Sequence, residues 1–365
     1  MNATKHGTLF DTLKNEILSG KYSSDFPFPS VRALISRFKL SDRTVRHALD
    51  ELFDQGLISR KQGRGTFVTG SAVSRRIGLI MPDSSQTEYF VRIVRELIRL
   101  ADQKQYTLLF GEISGRSANE RARKTESVVR DFIQQRVAGV IYQPIEYYNG
   151  GESFNCRMLM QLKRARVPVV LCDNGIEGGD GLCDVVGNDN IEAGARMYRY
   201  LTSKGARKPC YFMRPFAPQT HFDRLRGLLL ARLPKFHGKI GNDAFLVCEP
   251  DDVNAIRRRI RTKGVDAFMC SDDETAAKLM QTLNAIGYSV PGDILVTGFN
   301  DLRIANLLSP ALTTMRVPCE DIARAAFTRL VSRISDPLLP LTRIYLPVEL
   351  VERGSTVRLR WNAKG

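Results

Sequence analysis

Basic and hydroxyl side chains recur at helical spacing between residues 41 and 50, and their chemistry suits a nucleic acid. Arg43 and Arg46 lie three positions apart, opposite an apolar stripe, and Ser41 and Thr44 stand near the start of the segment. Arginine can chelate a guanine edge or clamp a phosphate, while hydroxyl groups and helix N-terminal amides suit phosphate oxygens. The pattern predicts a DNA-reading helix, although a solvated surface explains such a helix equally well when it is taken alone.

Three helices are predicted around these residues. They run from Leu9 to Leu18 before Gly20, from Ser30 as N-cap through Phe38, and from Ser41 as N-cap to about Gln55 before Gly56. In the third helix, the residues expected to face inward are Val45, Ala48, Leu49, Leu52 and Phe53.

A short hairpin is predicted after the third helix. Leu57 to Lys61 and Thr66 to Val68 read as strands, joined by the turn Gln62-Gly63-Arg64-Gly65. The glycines allow positive backbone φ, so the basic tip can be tight. A narrow minor groove concentrates negative potential, and we therefore expect this wing to reach DNA.

In order and spacing, Leu9 to Val68 resembles the winged helix-turn-helix of GntR-type transcription regulators. The approach to the second helix departs from the family's Gly-x-x-Leu-Pro-Ser, since Asp25-Phe26-Pro27-Phe28-Pro29-Ser30 stands here. By the resemblance, Arg32, Arg43, Arg46 and Gly63 occupy positions that touch DNA in the family. With the residues inferred from spacing, the predicted DNA-binding set is Arg32, Ser41, Arg43, Thr44, Arg46, Gln62, Gly63 and Arg64.

From Ile77 onward, short apolar runs alternate with amphipathic stretches, which is typical of a parallel α/β fold. The runs are too many for one sheet, and the Gly-rich segment from Asn174 to Gly181 interrupts them midway, so two lobes are predicted. The predicted strands are Ile77–Met81, Thr107–Gly111, Gly139–Tyr142, Val167–Cys172, Asp184–Val186, Cys210–Met213, Ala244–Val247, Ala267–Cys270 and Ile294–Thr297.

Several motifs in this region, taken in order, resemble the effector domain of LacI-type regulators, which shares the fold of periplasmic sugar-binding proteins. They are Val186-Gly187-Asn188-Asp189-Asn190, Arg224-Leu225-Arg226-Gly227, Cys270-Ser271-Asp272-Asp273-Glu274-Thr275-Ala276, Gly298-Phe299-Asn300-Asp301, and Pro347 to Thr356. The resemblance implies two lobes joined by three crossings of the chain, with a ligand held in the cleft between them.

Polar residues that follow the predicted strands are the candidates for that ligand, because ligands bind beyond the carboxyl ends of strands in open α/β sheets. Carboxylates and amides suit sugar hydroxyls, an arginine adds a fixed fork of donors, and aromatic rings can stack on a sugar face. Strand-end acids also cap helices, and that reading of Asp173 and Asp272 stays open. The predicted effector-binding residues are Ser84, Phe90, Gln143, Asp173, Phe216, Arg224, Asp272 and Asn300.

Composition limits the classes of function. The net charge is +15, and the first 76 residues hold 13 Lys and Arg against 7 Asp and Glu, which suits a polyanionic partner. No apolar stretch is long enough to span a membrane and no signal peptide is evident, so we expect a cytoplasmic protein with no membrane partner. The seven scattered cysteines are expected to be buried free thiols. No metal, cofactor or catalytic motif is recognised, and we predict that the protein is not an enzyme.

The two halves together predict a ligand-responsive switch. We expect a winged helix-turn-helix domain at residues 1–70, a linker at 71–76, and a two-lobed effector-binding and dimerisation domain at 77–365. The pairing resembles the GntR/LacI hybrid group, which includes arabinose-responsive repressors. The resemblance implies a homodimeric repressor of double-stranded operator DNA controlled by a carbohydrate; an activator, or a regulator of a non-sugar metabolite, is the alternative.

Overall fold

A small helical head precedes a larger α/β body. The computed structural model describes residues 5–18, 21–22, 26–69, 75–81, 88–113, 115, 117–145, 151–176, 181–233 and 244–358. Ser84, Gly20 and most of the predicted linker lie outside these ranges.

The head consists of three helices and a hairpin, as predicted. Its elements are α1 (Lys5–Leu18), α2 (Val31–Phe38), α3 (Asp42–Asp54), β1 (Ile58–Lys61) and β2 (Gly65–Val68), with β1 and β2 antiparallel. Ser30 and Ser41 cap α2 and α3, because each hydroxyl accepts a backbone N–H three residues on, at 3.2 Å. Both predicted N-caps are confirmed.

Four of the five inward predictions for α3 are correct and Phe53 is wrong. Val45, Ala48, Leu49 and Leu52 are buried, whereas Phe53 is 44% exposed beneath the Arg60 guanidinium. At about 100° per residue, Phe53 lies roughly 80° around the helix from Val45, at the edge of the apolar stripe.

The first lobe of the body is a six-stranded parallel sheet with helices on both faces. Its strands are β3 (Arg76–Met81), β4 (Thr107–Glu112), β5 (Gly139–Tyr142), β6 (Val169–Asp173), β7 (Asp184–Asn188) and β13 (Arg343–Leu346), and their spatial order is β13-β7-β6-β5-β3-β4. Its helices are α4 (Glu88–Gln103), α5 (Ala118–Gln134), α6 (Gly151–Arg164) and α12 (Cys319–Ser335).

The second lobe repeats the design with a four-stranded parallel sheet. Its strands are β8 (Pro209–Met213), β9 (Phe245–Val247), β10 (Ala267–Cys270) and β11 (Leu295–Thr297), in the order β11-β10-β8-β9. Its helices are α7 (Asn190–Ser203), α8 (Gln219–Arg232), α9 (Val253–Lys263), α10 (Asp273–Ala285) and α11 (Arg303–Leu307). An antiparallel pair, β12 (Thr314–Arg316) and β14 (Glu349–Val351), and a 3-10 helix (Gly354–Thr356) complete the body.

The chain crosses between the lobes three times, as the resemblance implied. The crossings follow β7, β12 and β13, where the chain passes to α7, α12 and β14. The Gly-rich segment is not one of them, because β6 and β7 on either side of it pair in one sheet. The first crossing is instead at Asp189, the N-cap of α7, so the number of lobes was predicted and their boundary was not.

Candidate DNA interface and effector cleft

The predicted DNA-binding residues form a solvent-facing surface on the head. All are exposed except Thr44, which is half-buried beside the Ser41 cap. Arg46 pairs with Asp42 at 2.6 Å, and both side chains are more than half exposed. Because such surface pairs contribute only about 0–1 kcal/mol, a phosphate can replace Asp42 at little cost.

The wing has the tight turn that its glycines predicted. Gly63 and Gly65 have φ of +73° and +101°, and Gln62 to Gly65 are exposed. The N–H of Phe28 donates to the carbonyl of Thr66 at 2.7 Å, which fixes the approach to α2 against the wing.

A buried carboxylate fixes α1 against α2 beneath this surface. Glu16 is 8% exposed and accepts hydrogen bonds from Lys21, Tyr22 and Arg37. Burial opposes ionisation, but these donors outweigh it and lower the pKa of Glu16 to about 2. The helix that carries Arg32 is therefore held in place by a charged anchor.

A cleft of about 480 Å³ lies between the lobes and collects most of the predicted effector residues. Its lining includes Phe90, Asp173, Phe216, Arg224, Asp272 and Asn300. Gln143 is not on the cleft wall: it is 2% exposed and donates to Asp173 at 3.3 Å from behind. Ser84 lies outside the described residues.

Arg224 is the cation held most firmly at the cleft. It is 5% exposed, and its Nε and Nη1 donate to Asn190 Oδ1 at 2.8 Å and to the Ser271 carbonyl at 2.7 Å. Its guanidinium carbon lies 3.5 Å from the ring centroid of Phe299. These two hydrogen bonds use two of the five guanidinium N–H groups, so both N–H groups of Nη2 are left for a ligand oxygen.

Close packing of two helices places this arginine. A Cβ on Gly194 of α7 would lie 2.0 Å from the Arg224 carbonyl oxygen, and a Cβ on Gly227 of α8 would lie 1.9 Å from that of Ile191. Each glycine therefore lets the other helix's backbone approach. The motif Arg224 to Gly227, which carried part of the resemblance, is thus one side of a contact whose other side is Gly194 on α7.

Asp272 both caps a helix and lines the cleft. One carboxylate oxygen accepts the N–H of Thr275 at 2.7 Å, and the other accepts the hydroxyls of Thr275 and Ser271, each at 2.8 Å. Asp272 therefore caps α10, a role that the sequence left open, and it also lines the cleft.

Asp173 does not cap a described helix. It has φ of +78°, and its carboxylate accepts the hydroxyl of Tyr89 at 2.5 Å. Burial raises the pKa of Asp173, although the hydrogen bond from Tyr89 and the charge of Arg224 oppose the increase. Its position at the carboxyl end of β6 places it on the wall of the cleft.

Several residues of the cleft were missed by the sequence reasoning. Tyr89, Arg214, Thr220 and His221 all line it. Burial and the charge of Arg224 lower the pKa of His221 to about 3, so the imidazole is neutral, and its buried Nδ1 has no partner among the described residues. Helical spacing could have predicted His221 as a cleft residue, because it lies three positions before Arg224 on α8.

Phe216 and Asn300 occupy strained backbone positions at the cleft. Phe216 has φ of +60°, is 86% exposed and lies between Pro215 and Pro218. Asn300 has φ of +101°, and its N–H donates to the Met315 carbonyl at 2.8 Å. Non-glycine residues rarely adopt positive φ, so both residues combine an unfavourable backbone conformation with a place on the cleft wall.

Other expectations concern thiols, metals and membranes. All seven cysteines are free thiols; six are buried, as predicted, and Cys156 is half-buried. No cluster of three His, Cys, Asp or Glu side chains suited to a metal ion occurs in the described ranges. No helix among the described residues is long and apolar enough to cross a membrane.

Comparison with known proteins matches both halves of this architecture. The model of the bacterial regulatory proteins of the gntR family matches residues 5–68, and that of the periplasmic binding protein-like domain matches residues 198–356. The chain joins a GntR-type regulatory domain to a periplasmic-binding-protein-like domain. The protein is therefore a DNA-binding transcription regulator. Its head and its cleft belong to separate units of one chain.

Similar proteins match all or most of this chain. The regulator is 27% identical to the arabinose metabolism transcriptional repressor of Geobacillus stearothermophilus, over 94% of this chain and 96% of the relative. A transcriptional regulator CelR–cellobiose complex has a TM-score of 0.65 at 21% identity, covering 87% of this chain and 92% of that one. A LacI-type regulator of Alkaliphilus metalliredigens complexed with D-xylulofuranose has a TM-score of 0.63 at 23% identity, covering 78% and 100%.

Proposed function

We propose that the protein is a cytoplasmic repressor whose affinity for operator DNA is controlled by a small carbohydrate bound between the lobes. The observation that carries the proposal is Arg224, which is buried, held by two hydrogen bonds and stacked on Phe299, with one end left for a ligand. The similar repressor of arabinose metabolism and the sugars in two similar structures support the choice of ligand class.

The chemistry of the cleft fits a polyhydroxyl ligand. Asp173 and Asp272 present oxygens that accept from hydroxyl groups, Arg224 donates, and Phe90 and Phe216 present aromatic faces. Gln143 acts in this proposal by positioning Asp173. Ser84 and Asn300, which the sequence predicts to bind the effector, are ligand contacts in this proposal as well.

The DNA-binding residues proposed for the head are those predicted from the sequence. Arg43, Arg46, Ser41 and Thr44 would enter or flank the major groove, while Arg32 and the wing from Gln62 to Arg64 would hold phosphates. The division into a head at 1–70, a linker at 71–76 and an effector domain at 77–365 belongs to the same proposal.

Operator recognition is proposed to require a homodimer, since a near-palindromic operator presents two half-sites. Exposed apolar side chains at sheet edges and on α8 support a self-association surface. Phe110 on edge strand β4 is 58% exposed, Val247 on edge strand β9 is 42% exposed, and Leu230 on α8 is 53% exposed.

A thermal-shift screen with mono- and disaccharides tests the cleft, because a ligand that binds only the folded state raises its melting temperature. We expect at least one sugar to stabilise the protein and Arg224→Lys to weaken its binding about 10- to 100-fold, through loss of the planar fork. Arg226→Lys is the matched control on α8. Loss of affinity in both variants alike, or in neither, would remove Arg224 from the site.

A further inference from the structure

Three arginines cluster at the amino ends of the strands in the first lobe. Arg136 lies in the loop before β5, Arg166 lies in the loop before β6, and Arg164 ends α6. All three are exposed, and none forms a hydrogen bond or ion pair through its side chain with a described residue. They line one concavity of about 400 Å³, together with Asn15 of α1.

The backbone at these positions favours glycine. Arg136 and Arg166 have φ of +51° and +58°, and Gln105 in the loop before β4 has φ of +57°. The left-handed region is unfavourable for residues with a Cβ, and helix ends usually place glycine there.

The second lobe uses glycine at the equivalent places. In the order of the two sheets, β10 and β11 correspond to β5 and β6, and Gly264 and Gly287 precede them with φ of +65° and +88°. The turns before β5 and β6 thus have arginine in the left-handed region, and the corresponding turns of the second lobe have glycine. Strain retained at equivalent positions on a single face indicates a function for those side chains.

This face adjoins the entry of the chain from the head. The carbonyls of Arg75 and Arg76 accept the N–H groups of Thr107 and Ala138 at 2.7 Å, so the start of β3 lies between the two neighbouring loops. Adjacent strands are about 5 Å apart, which places the Arg136 loop one strand and the Arg166 loop two strands from the linker. The segment from Thr69 to Arg75 spans at most about 21 Å.

We propose that this face of the first lobe is a second DNA-contacting surface, on which Arg136, Arg164 and Arg166 bind backbone phosphates of the duplex that flanks the site held by the head. The loops at 104–106, 135–138 and 165–168 contain Lys104, Arg136 and Arg166 and no acidic residue. They also present no base-reading helix, so the contact is with phosphate and carries no sequence preference. The inference rests on the proposed function, because the head must first hold the DNA.

The test uses the full chain and two duplexes of about 40 base pairs, one carrying a site selected by the wild-type protein from random sequence and one unrelated. The variant Arg136→Gly with Arg166→Gly removes two charges and relieves two strained positions. We expect about 5- to 30-fold weaker binding to both duplexes near 0.15 M salt, and a slope of log affinity against log salt that is smaller by about 2 for each chain bound. The melting temperature should be equal or higher, which excludes misfolding as the cause.

Two further variants complete the test. Arg257→Gln with Arg258→Gln removes the same charge from exposed positions on α9 of the second lobe and should leave affinity nearly unchanged. Arg136→Lys with Arg166→Lys should retain most of the affinity. Unchanged affinity in the glycine variant, an equal loss in the α9 variant, or a loss without a change in salt slope would overturn the proposal; the last result would mean that the arginines hold the head. Failure of the wild-type protein to bind either duplex would instead contradict the proposed function.

Discussion

Adjacent carboxyl groups in this protein have different environments, and their surroundings determine what each contributes. Asp272 lines the cleft, whereas its neighbour Asp273 is fully buried and accepts hydrogen bonds from the Thr314 hydroxyl at 2.6 Å and the Leu302 N–H at 2.7 Å. The sequence predicted that Asp272 faces the ligand. It could not show that Asp273 is the buried member of the pair, because that depends on Gly298 and Thr314, which come from later in the chain.

Burial raises the pKa of Asp273 to about 7, despite the hydrogen bonds from Thr314 and Leu302. The folded state therefore binds a proton that the unfolded chain releases near pH 4. The contribution of Asp273 to stability is fully present below about pH 4 and decreases as the pH rises to about 7, by roughly 2–4 kcal/mol.

Asp273→Asn should remove that decrease, because the amide remains neutral. Urea unfolding near pH 4.5 and pH 7.5 measures the difference, and the exposed Asp251→Asn is the control. The interpretation is wrong if wild type and Asp273→Asn lose stability equally between these two pH values.

At the scale of elements, sequence patterns predicted the head and the parallel strands well, because helical period and short apolar runs are local signals. They did not predict β12, β13 and β14, which are short and lie next to the crossings. They also misplaced the lobe boundary, since the first crossing passes through the N-cap Asp189 without a change in composition. Six of the eight predicted effector residues line the cleft. Tyr89 and His221 also line it, but it is the fold that identifies them as cleft residues.

The contact between α7 and α8 gives the sharpest prediction at this scale. Gly227→Ala forces a methyl group against the Ile191 carbonyl, so α8 must move and carry Arg224 with it. We expect a loss of about 1–3 kcal/mol in the free energy of unfolding and weaker sugar binding. Arg226→Ala, at an exposed position on the same helix, is the matched control. Calorimetry that finds wild-type sugar affinity in folded Gly227→Ala would show that this packing does not position Arg224.

For the whole molecule, the cleft and the head are two sites on one chain, and a ligand that contacts both lobes can change how they are arranged. Phe90 and Asp173 belong to the first lobe, while Arg224 and Asp272 belong to the second. Closure of the lobes around a sugar would shift the proposed dimer interface and the spacing of the two heads. Coupling of this kind is reciprocal, because both ligands act on the same equilibrium.

The most direct test measures operator affinity by fluorescence anisotropy with and without a saturating sugar, and sugar affinity with and without operator. We predict that each ligand changes the affinity for the other by one common factor of about 5- to 150-fold, with two chains bound per near-palindromic site. Arg46→Ala should lose about 1–3 kcal/mol of operator binding and still bind the sugar. A sugar that occupies the cleft while operator affinity stays the same would contradict the account.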